Sequence, residues 1–369
     1  MRIVHLSYAN MTDYSDPNAW LKRIDFFAVL LEQMAKEVEV KSIHCLNFTG
    51  VLNRNGVEYH FIKPEKLSLF SPDVNEYVRK LNVDVVIVHG FHFPIKVLWL
   101  KWKLGAEAKI IIQHHAEKPL RHYKSFLQRF VDKVVSAYFF TSLDQSIAWL
   151  ADRQIGDRSK IYEVMEVPSV FKPMDRSEAR AVTKVGVLKN YLWVGRFDQN
   201  KDPITLINAF IPFAKKNNDV HLYVVFQSNE LINEVLKLIK EAKAERQITL
   251  VGKVEHHELL YWYNSIDFII STSHYEGSGI AVCEGMSCGC IPILTNIPSF
   301  RMMTNNGDCG LLFNAGDQRE LASALQKSLA MDIGLNRKKT LTLYQENLSP
   351  EAIAGRMINC CKNVVTRKG

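Results

Sequence analysis

Residues 274–292 read HYEGSGIAVCEGMSCGCIP and hold the side chains most able to do chemistry. Glu276 and Glu284 bracket a glycine turn, and Cys283, Cys288 and Cys290 crowd the same stretch. An ionised carboxylate only accepts hydrogen bonds, so such groups suit a ligand that offers hydroxyls. Gly277 and Gly279 let the backbone approach a ligand closely. The amides of Gly279 and Ile280 would open a helix whose N-terminus favours a phosphate or sugar oxygen. The same residues fit equally well a loop glutamate in water and a helix-surface glutamate. The cysteine pattern C-x4-C-x-C has no companion cluster of the kind zinc sites use. The cysteines, seven in all, are expected as small buried packing residues, with neither a disulfide framework nor a metal.

A second segment, WVGRFDQNKDP at 193–203, ends an apolar run at Gly195 and places Arg196 and Lys201 in the loop before a helix starting near Pro203. Two cations leaving the carboxyl end of a strand suit a diphosphate, and arginine can bind two oxygens at once. Either cation alone is better read as a solvated surface charge.

These segments need a scaffold, and the pattern of the chain supplies one. Short apolar runs alternate with helical periodicity twice over: RIVHLSY, VEVKSI, VDVVIVHG, AKIIIQHH, KVVSAYFFTS and KIYEVMEVP, then NYLWVGR, VHLYVVFQ, QITLVG, DFIISTS, IPILTN and GLLFN. Near-continuous apolar strands joined by helices predict parallel sheets covered on both faces. Two such sets predict an α/β protein of two Rossmann-like, doubly wound lobes facing across a cleft, where ligands gather at the carboxyl ends of the strands. The expected division is 1–170, joined by a helix at about 350–369 that packs back, and 171–349. The boundary falls in PSVFKPMDRSEARAVTKVG.

The formal charge of +7 is spread along the 369 residues, so neither half reads as a nucleic-acid domain. Only the window 96–133 stands out, with nine basic and three acidic residues. Trp99 and Trp102 lie beside Lys101 and Lys103, while Arg121, Lys124 and Arg129 flank Phe126 and Phe130. That interleaving suits a membrane interface or an anionic lipid-linked partner, and it equally suits an ordinary amphipathic helix. No apolar stretch approaches the ~20 residues needed to span a bilayer, and MRIVHLSY reads as a strand rather than a signal peptide. The expected location is cytoplasmic, with peripheral contact at the inner face of the membrane as an open option.

GRFDQNKDPITLINAF resembles the G-R-x4-K-(G/D)-x3-L-(I/L)-x-A-F segment of family 4 of the retaining glycosyltransferases, which have the GT-B fold. EGSGIAVCE is similar to their E-x7-E motif, and GMSCGCIPI to the run that follows it. VPSVFKP resembles their interdomain segment. The resemblance covers most of 105–330 and is weaker before 105.

It implies a metal-independent glycosyltransferase that moves a sugar from a nucleotide-diphosphate-sugar donor to a glycan or lipid-linked acceptor with retention, and it implies no cofactor. Arg196 and Lys201 would bind the diphosphate, with the amides of Gly279 and Ile280 in support. Glu284 would hold the ribose, Glu276 the transferred sugar, and the backbone near Val254 would border the base. His114 and His115 in IIIQHHAEKP both match a family histidine near the sugar, spacing slightly favouring His115. A scan finds no D-x-D pair of the kind that holds a divalent ion in other transferases. The first loop, SYANMTDYSDPNAWLKR, departs from the family by lacking glycine, so Asn10, Asp16, Asn18 and Arg23 are its candidate acceptor contacts. A nucleotide-sugar epimerase of the same fold and a non-enzymatic two-lobed solute-binding protein are the alternative readings.

Overall fold

The computed structural model describes residues 1–64, 72–106, 108–186, 189–228 and 230–367; of Pro72 and Asp73 only the backbone is described. Glu107 of the basic window and the last two residues of the expected C-terminal helix lie outside these. The chain divides into two compact units, Met1–Pro168 with Pro350–Gly369, and Ser169–Ser349.

Unit 1 is built on an eight-stranded sheet. Its strands are β1 (Arg2–Met11), β2 (Glu39–Leu46), β3 (Gly50–Arg54), β4 (Val57–Ile62), β5 (Val85–His89), β6 (Lys109–Gln113), β7 (Ala137–Phe140) and β8 (Ile161–Glu163). The order is β3-β4-β2-β1-β5-β6-β7-β8. All neighbours pair in parallel except β3 and β4. That hairpin was missing from the expected strands, although Asn55 and Gly56 at its turn both take positive φ, the geometry that favours Asn-Gly in two-residue hairpins. The central strands β5 and β6 are apolar almost throughout because helices cover both faces, and their Val and Ile side chains are buried.

Two expectations about this unit need correction. SYANMTDYSDPNAWLKR is not a loop: β1 continues to Met11, and Pro17–Arg23 is a helix. Asp16 caps that helix by accepting the Asn18 N–H at 2.9 Å, and Pro17 supplies a preset φ at its start. The strand expected over KIYEVMEVP is only Ile161–Glu163, which leaves Glu166 in the segment beyond β8. The C-terminal helix Pro350–Thr366 packs on the helix Asp25–Met34 of the same unit.

Unit 2 holds a six-stranded sheet of β9 (Lys189–Gly195), β10 (Val220–Phe226), β11 (Ile248–Gly252), β12 (Phe268–Ser271), β13 (Ile291–Thr295) and β14 (Leu311–Phe313), in the order β11-β10-β9-β12-β13-β14. Every neighbouring pair is parallel. The helix Pro203–Lys216 starts where Pro203 and Lys201 led the sequence to expect it, capped by Asp202 accepting the Thr205 N–H at 3.0 Å. Both units are therefore doubly wound α/β folds. No described helix is long and apolar enough to cross a membrane.

Candidate active site

The carboxyl end of β9 leads into a loop pinned from below by Phe197, which is fully buried and stacked on Phe226 at 4.1 Å. Asp198 organises that loop. Its carboxylate accepts the Lys201 N–H at 2.9 Å and pairs with Arg196 Nε at 3.1 Å. The Lys201 carbonyl accepts from Thr272 Oγ1 at 2.7 Å. Asn200 joins the same two loops: its carbonyl accepts the His274 N–H at 2.8 Å, and its side-chain amide donates to the Tyr275 carbonyl at 3.0 Å. The result is that Lys201 Nζ donates to the Glu276 carboxylate, although 75 residues separate them in sequence. Arg196 stays largely exposed beside them.

Gly279 caps the helix Ile280–Ser287 in the left-handed region, at φ +58°, with no side chain capping it. A Cβ at this position would lie 2.6 Å from the Phe300 ring. Glycine thus suits the turn on both dihedral and space, while Ile280 is exposed just after it.

Glu284 lies one turn into that helix and is almost fully buried, its side chain 4% exposed. One oxygen meets His256 Nε2 at 2.6 Å and the other accepts from Tyr263 OH at 3.0 Å. Burial, then the charge of Glu284, pushes the Tyr263 phenol well above its ordinary pKa, so it stays a donor. Val254 is half-buried and packs against the cluster that contains Tyr263 and Phe171. The structure thus brings Arg196, Lys201 and Glu276 together, and gathers Val254 and Glu284 with His256 and Tyr263, which sequence reasoning missed. The run VEHHELL offered two histidines as a signal, with nothing to say which faced a carboxylate 28 residues on.

The crowded cysteines pack in the interior. All seven in the chain are free and buried. Burial pushes the Cys288 thiol up to about 12, and Cys283 and Cys290 further in the same direction. Such thiols are poor nucleophiles and metal ligands. Among the described residues no three His, Cys, Asp or Glu side chains are grouped to hold a metal ion.

In unit 1 the two adjacent histidines separate sharply. His114 is buried, stacks on Phe140 at 4.5 Å and bonds the Glu117 carbonyl through Nε2 at 2.8 Å. His115 instead lines a cavity of about 410 Å³ with Trp20, Phe27, Phe93, His89 and Glu166. From the first segment, Ser7, Ala9, Met11 and Trp20 line this cavity, with Ile24 just after it. Asn10, Asn18 and Arg23 are exposed near them in sequence. Arg23 lies 5.9 Å from the Tyr14 ring centre, and Asp16 is occupied as a helix cap.

Three histidines of this cavity resist charging. Burial lowers His5 to about 3 and His44 to about 4, and it holds His89 well below the ordinary histidine value. Unfolding releases these rings to water, where they bind protons near pH 6.5. The unfolded state then takes up more protons than the folded one below that pH, so acid lowers stability. Unit 1 is expected to lose melting temperature progressively as pH falls from about 6.5; a flat Tm over that range, followed by tryptophan fluorescence, would contradict it.

Residues 175–346 match the family described as glycosyl transferases group 1. A GDP-mannose:cellobiosyl-diphosphopolyprenol alpha-mannosyltransferase from Xanthomonas oryzae pv. oryzae is 22% identical over 302 residues, covering 78% of this chain and 76% of that protein. Among solved structures, a glycosyltransferase from Rickettsia africae superposes with a TM-score of 0.73 at 16% identity, covering 100% of this chain and 99% of the other. HepE from Anabaena, solved with UDP, gives 0.73 at 13% identity over 98% and 100%. These structures share the two-unit α/β fold of this chain.

Proposed function

From the match of residues 175–346 to glycosyl transferases group 1, we propose that this chain is a member of that family and moves a sugar from a nucleotide-diphosphate donor to a glycan or lipid-linked acceptor, with retention and without a metal ion. Unit 2 holds the donor and unit 1 the acceptor. Arg196 and Lys201 neutralise the charge that grows on the departing diphosphate, assisted by the amides at Gly279 and Ile280. Glu276 contacts hydroxyls of the transferred sugar, Glu284 the ribose, and the backbone near Val254 the base. The departing phosphate takes the acceptor's proton, so no protein nucleophile is assigned.

The observation that carries this reading is the Lys201–Glu276 pair, braced with Arg196 by Asp198 at the carboxyl end of β9. It sets two cations beside a carboxylate, the charge pattern that a diphosphate joined to a sugar calls for. An epimerase or a solute binder has less need of that juxtaposition together with the matched family segment.

A screen of nucleotide sugars for donor hydrolysis, run with and without excess chelator, tests the proposal. One donor should turn over at the same rate in both conditions. Strict dependence on added magnesium or manganese would refute the metal-independent part, and hydrolysis of none would refute the donor assignment.

The acceptor proposal includes contact with a membrane at the cytoplasmic face. The relative from Xanthomonas is described as acting on a polyprenol-linked sugar, and such an acceptor lives at a bilayer surface. In unit 1 the helices Pro94–Leu104 and Tyr123–Val134 pack together. They leave Trp102 68% and Phe126 60% exposed, with Tyr123 and Phe130 also exposed. Lys103 Nζ lies 5.1 Å from the Trp102 ring centre and Lys133 Nζ 5.3 Å from that of Phe130. Exposed aromatics among cations match an anionic interface. The protein should co-sediment with phosphatidylglycerol-containing vesicles at low salt and less so at high salt. Absence of binding at both would remove this part of the proposal.

A further inference from the structure

Four side chains of unit 1 are joined end to end by hydrogen bonds that the roles above do not use. Glu166, beyond β8, pairs with Nδ1 of His115. Nε2 of that ring meets Nδ1 of His89, at the end of β5, at 2.9 Å. Nε2 of His89 meets Nδ1 of His5, inside β1, at 3.1 Å. Nε2 of His5 is buried without a hydrogen-bond partner among the described residues. The backbone is held as well: the His115 N–H donates to one Glu117 oxygen at 2.6 Å and the Phe91 N–H to the other at 2.9 Å. Gly90, at φ +87°, makes room for this, since a Cβ there would sit 2.8 Å from the Glu117 carboxylate.

A carboxylate can only accept, so Nδ1 of His115 carries a hydrogen. Each contact between two imidazoles needs one donor and one acceptor; with His5 and His89 kept neutral by burial, two arrangements remain. With His115 neutral, its Nε2 accepts from His89 Nδ1–H, and His89 Nε2 accepts from His5 Nδ1–H. With His115 charged, its Nε2–H donates to His89 Nδ1, His89 Nε2–H donates to His5 Nδ1, and His5 keeps its hydrogen on Nε2. The second arrangement holds one more proton. Going from the first to the second, a proton binds His5 Nε2, the His5 Nδ1 proton passes to His89 Nε2, and the His89 Nδ1 proton passes to His115 Nε2.

We infer that Glu166 and His89 are positioning residues that hold His115 by both ring nitrogens, and that the charge on His115 sets the tautomers of His89 and His5 along one hydrogen-bond chain. With both nitrogens engaged, His115 offers the cavity a ring face and a charge, not a free nitrogen that could take a proton from a substrate. Burial opposes charge on His115, but Glu166 and then Glu117 outweigh it and raise its pKa. Burial holds His89 well down, followed by the neighbouring His115, His5 and His44. Burial also lowers His114, against the pull of Glu117 and Glu166. The remaining titratable group nearby, His92, lies 3.9 Å from Glu117. The extra proton therefore resides on His115. The consequence for sugar transfer rests on the glycosyltransferase reading, whereas the tautomers do not.

Long-range proton–nitrogen correlation spectra of the full chain, labelled in its histidine rings and free of ligand, read these states directly from about pH 5 to about 9. His115 should bind its second proton at a pH above the ordinary histidine value. As it loses its proton, His89 and His5 should stay neutral and move their hydrogen from Nε2 to Nδ1. Glu166→Gln should weaken proton binding at His115 by roughly tenfold or more. An unchanged His115 titration in that variant, or a single tautomer of His89 and His5 throughout, would overturn the inference. Should Glu166→Gln fail to fold, His89→Leu interrupts the same chain: His115 remains cationic while His5 stops responding to it, and a His5 that still switches overturns the chain. In donor hydrolysis, Glu166→Gln should shift the alkaline fall of the pH–rate profile to lower pH, which a merely structural role would not do. A wild-type protein that turns over no donor counts against the transferase reading and leaves the spectra to decide the chain.

Discussion

Replacing Lys201 with alanine is expected to lower sugar transfer by about a hundredfold or more, and Glu276→Ala to do the same. The magnitude is that of removing one preorganised electrostatic contact to the charge that develops in the transition state. Lys201 is set for that task by Asp198 and Thr272, which fix its backbone, and by Glu276, which holds its ammonium group. On the roles proposed, Glu276→Ala acts twice, losing a sugar contact and leaving the Lys201 ammonium without the bond it has now. The double variant should therefore be hardly worse than either single one, because the two side chains work as a unit. Each variant removes one partner of a part-buried pair, which costs about 1–3 kcal/mol of stability, or a melting shift of roughly 2–12 °C for a unit of this size. Activity and Tm must be measured together: full activity in either variant would sink the assignment, and loss of the fold would leave the double variant's Tm to separate packing from catalysis.

Gly310→Ala is expected to destabilise unit 2 by on the order of 3 kcal/mol or more, lowering its Tm by roughly 6–12 °C. Gly310 has φ +101°, where a side chain is strained, and an added Cβ would sit 2.2 Å from the Pro292 carbonyl oxygen and 3.1 Å from its carbon. Those atoms are backbone of β13, which pairs with β14 through Ile293 and Leu311, so they cannot step aside without breaking the sheet edge. Gly355→Ala is the control of opposite sign. That glycine lies inside the helix Pro350–Thr366, and nothing approaches its Cβ position within 4 Å. Alanine there should add about 0.5–1 kcal/mol by removing backbone freedom from the unfolded chain. Calorimetry of both variants decides the matter, and a Gly310→Ala protein melting like wild type would contradict the steric argument.

What could be read from the residues alone was whatever depends on neighbours in sequence. Apolar runs of strand length, helical periodicity and the helix start near Pro203 depend on local spacing, and so do the segments around Arg196, Lys201, Glu276 and Glu284. The same local view erred where pairing overrides propensity: β1 runs on to Met11 beside β2, and the β3–β4 hairpin exists because β2 offers an edge to pair with.

Burial and long-range contact belonged to the tertiary structure. His114 and His115 are equivalent as letters, yet one stacks in the core and the other lines a cavity, because alternate residues leave a strand end on opposite sides. Glu166 reaches His115 across 51 residues, and Tyr263 and His256 reach Glu284 across 21 and 28. A hydrogen bond depends on distance in space, and only the packed sheets bring these groups within that distance. The sequence by itself determined which chemical groups are present and on which elements they ride, and the fold alone decided which of them meet.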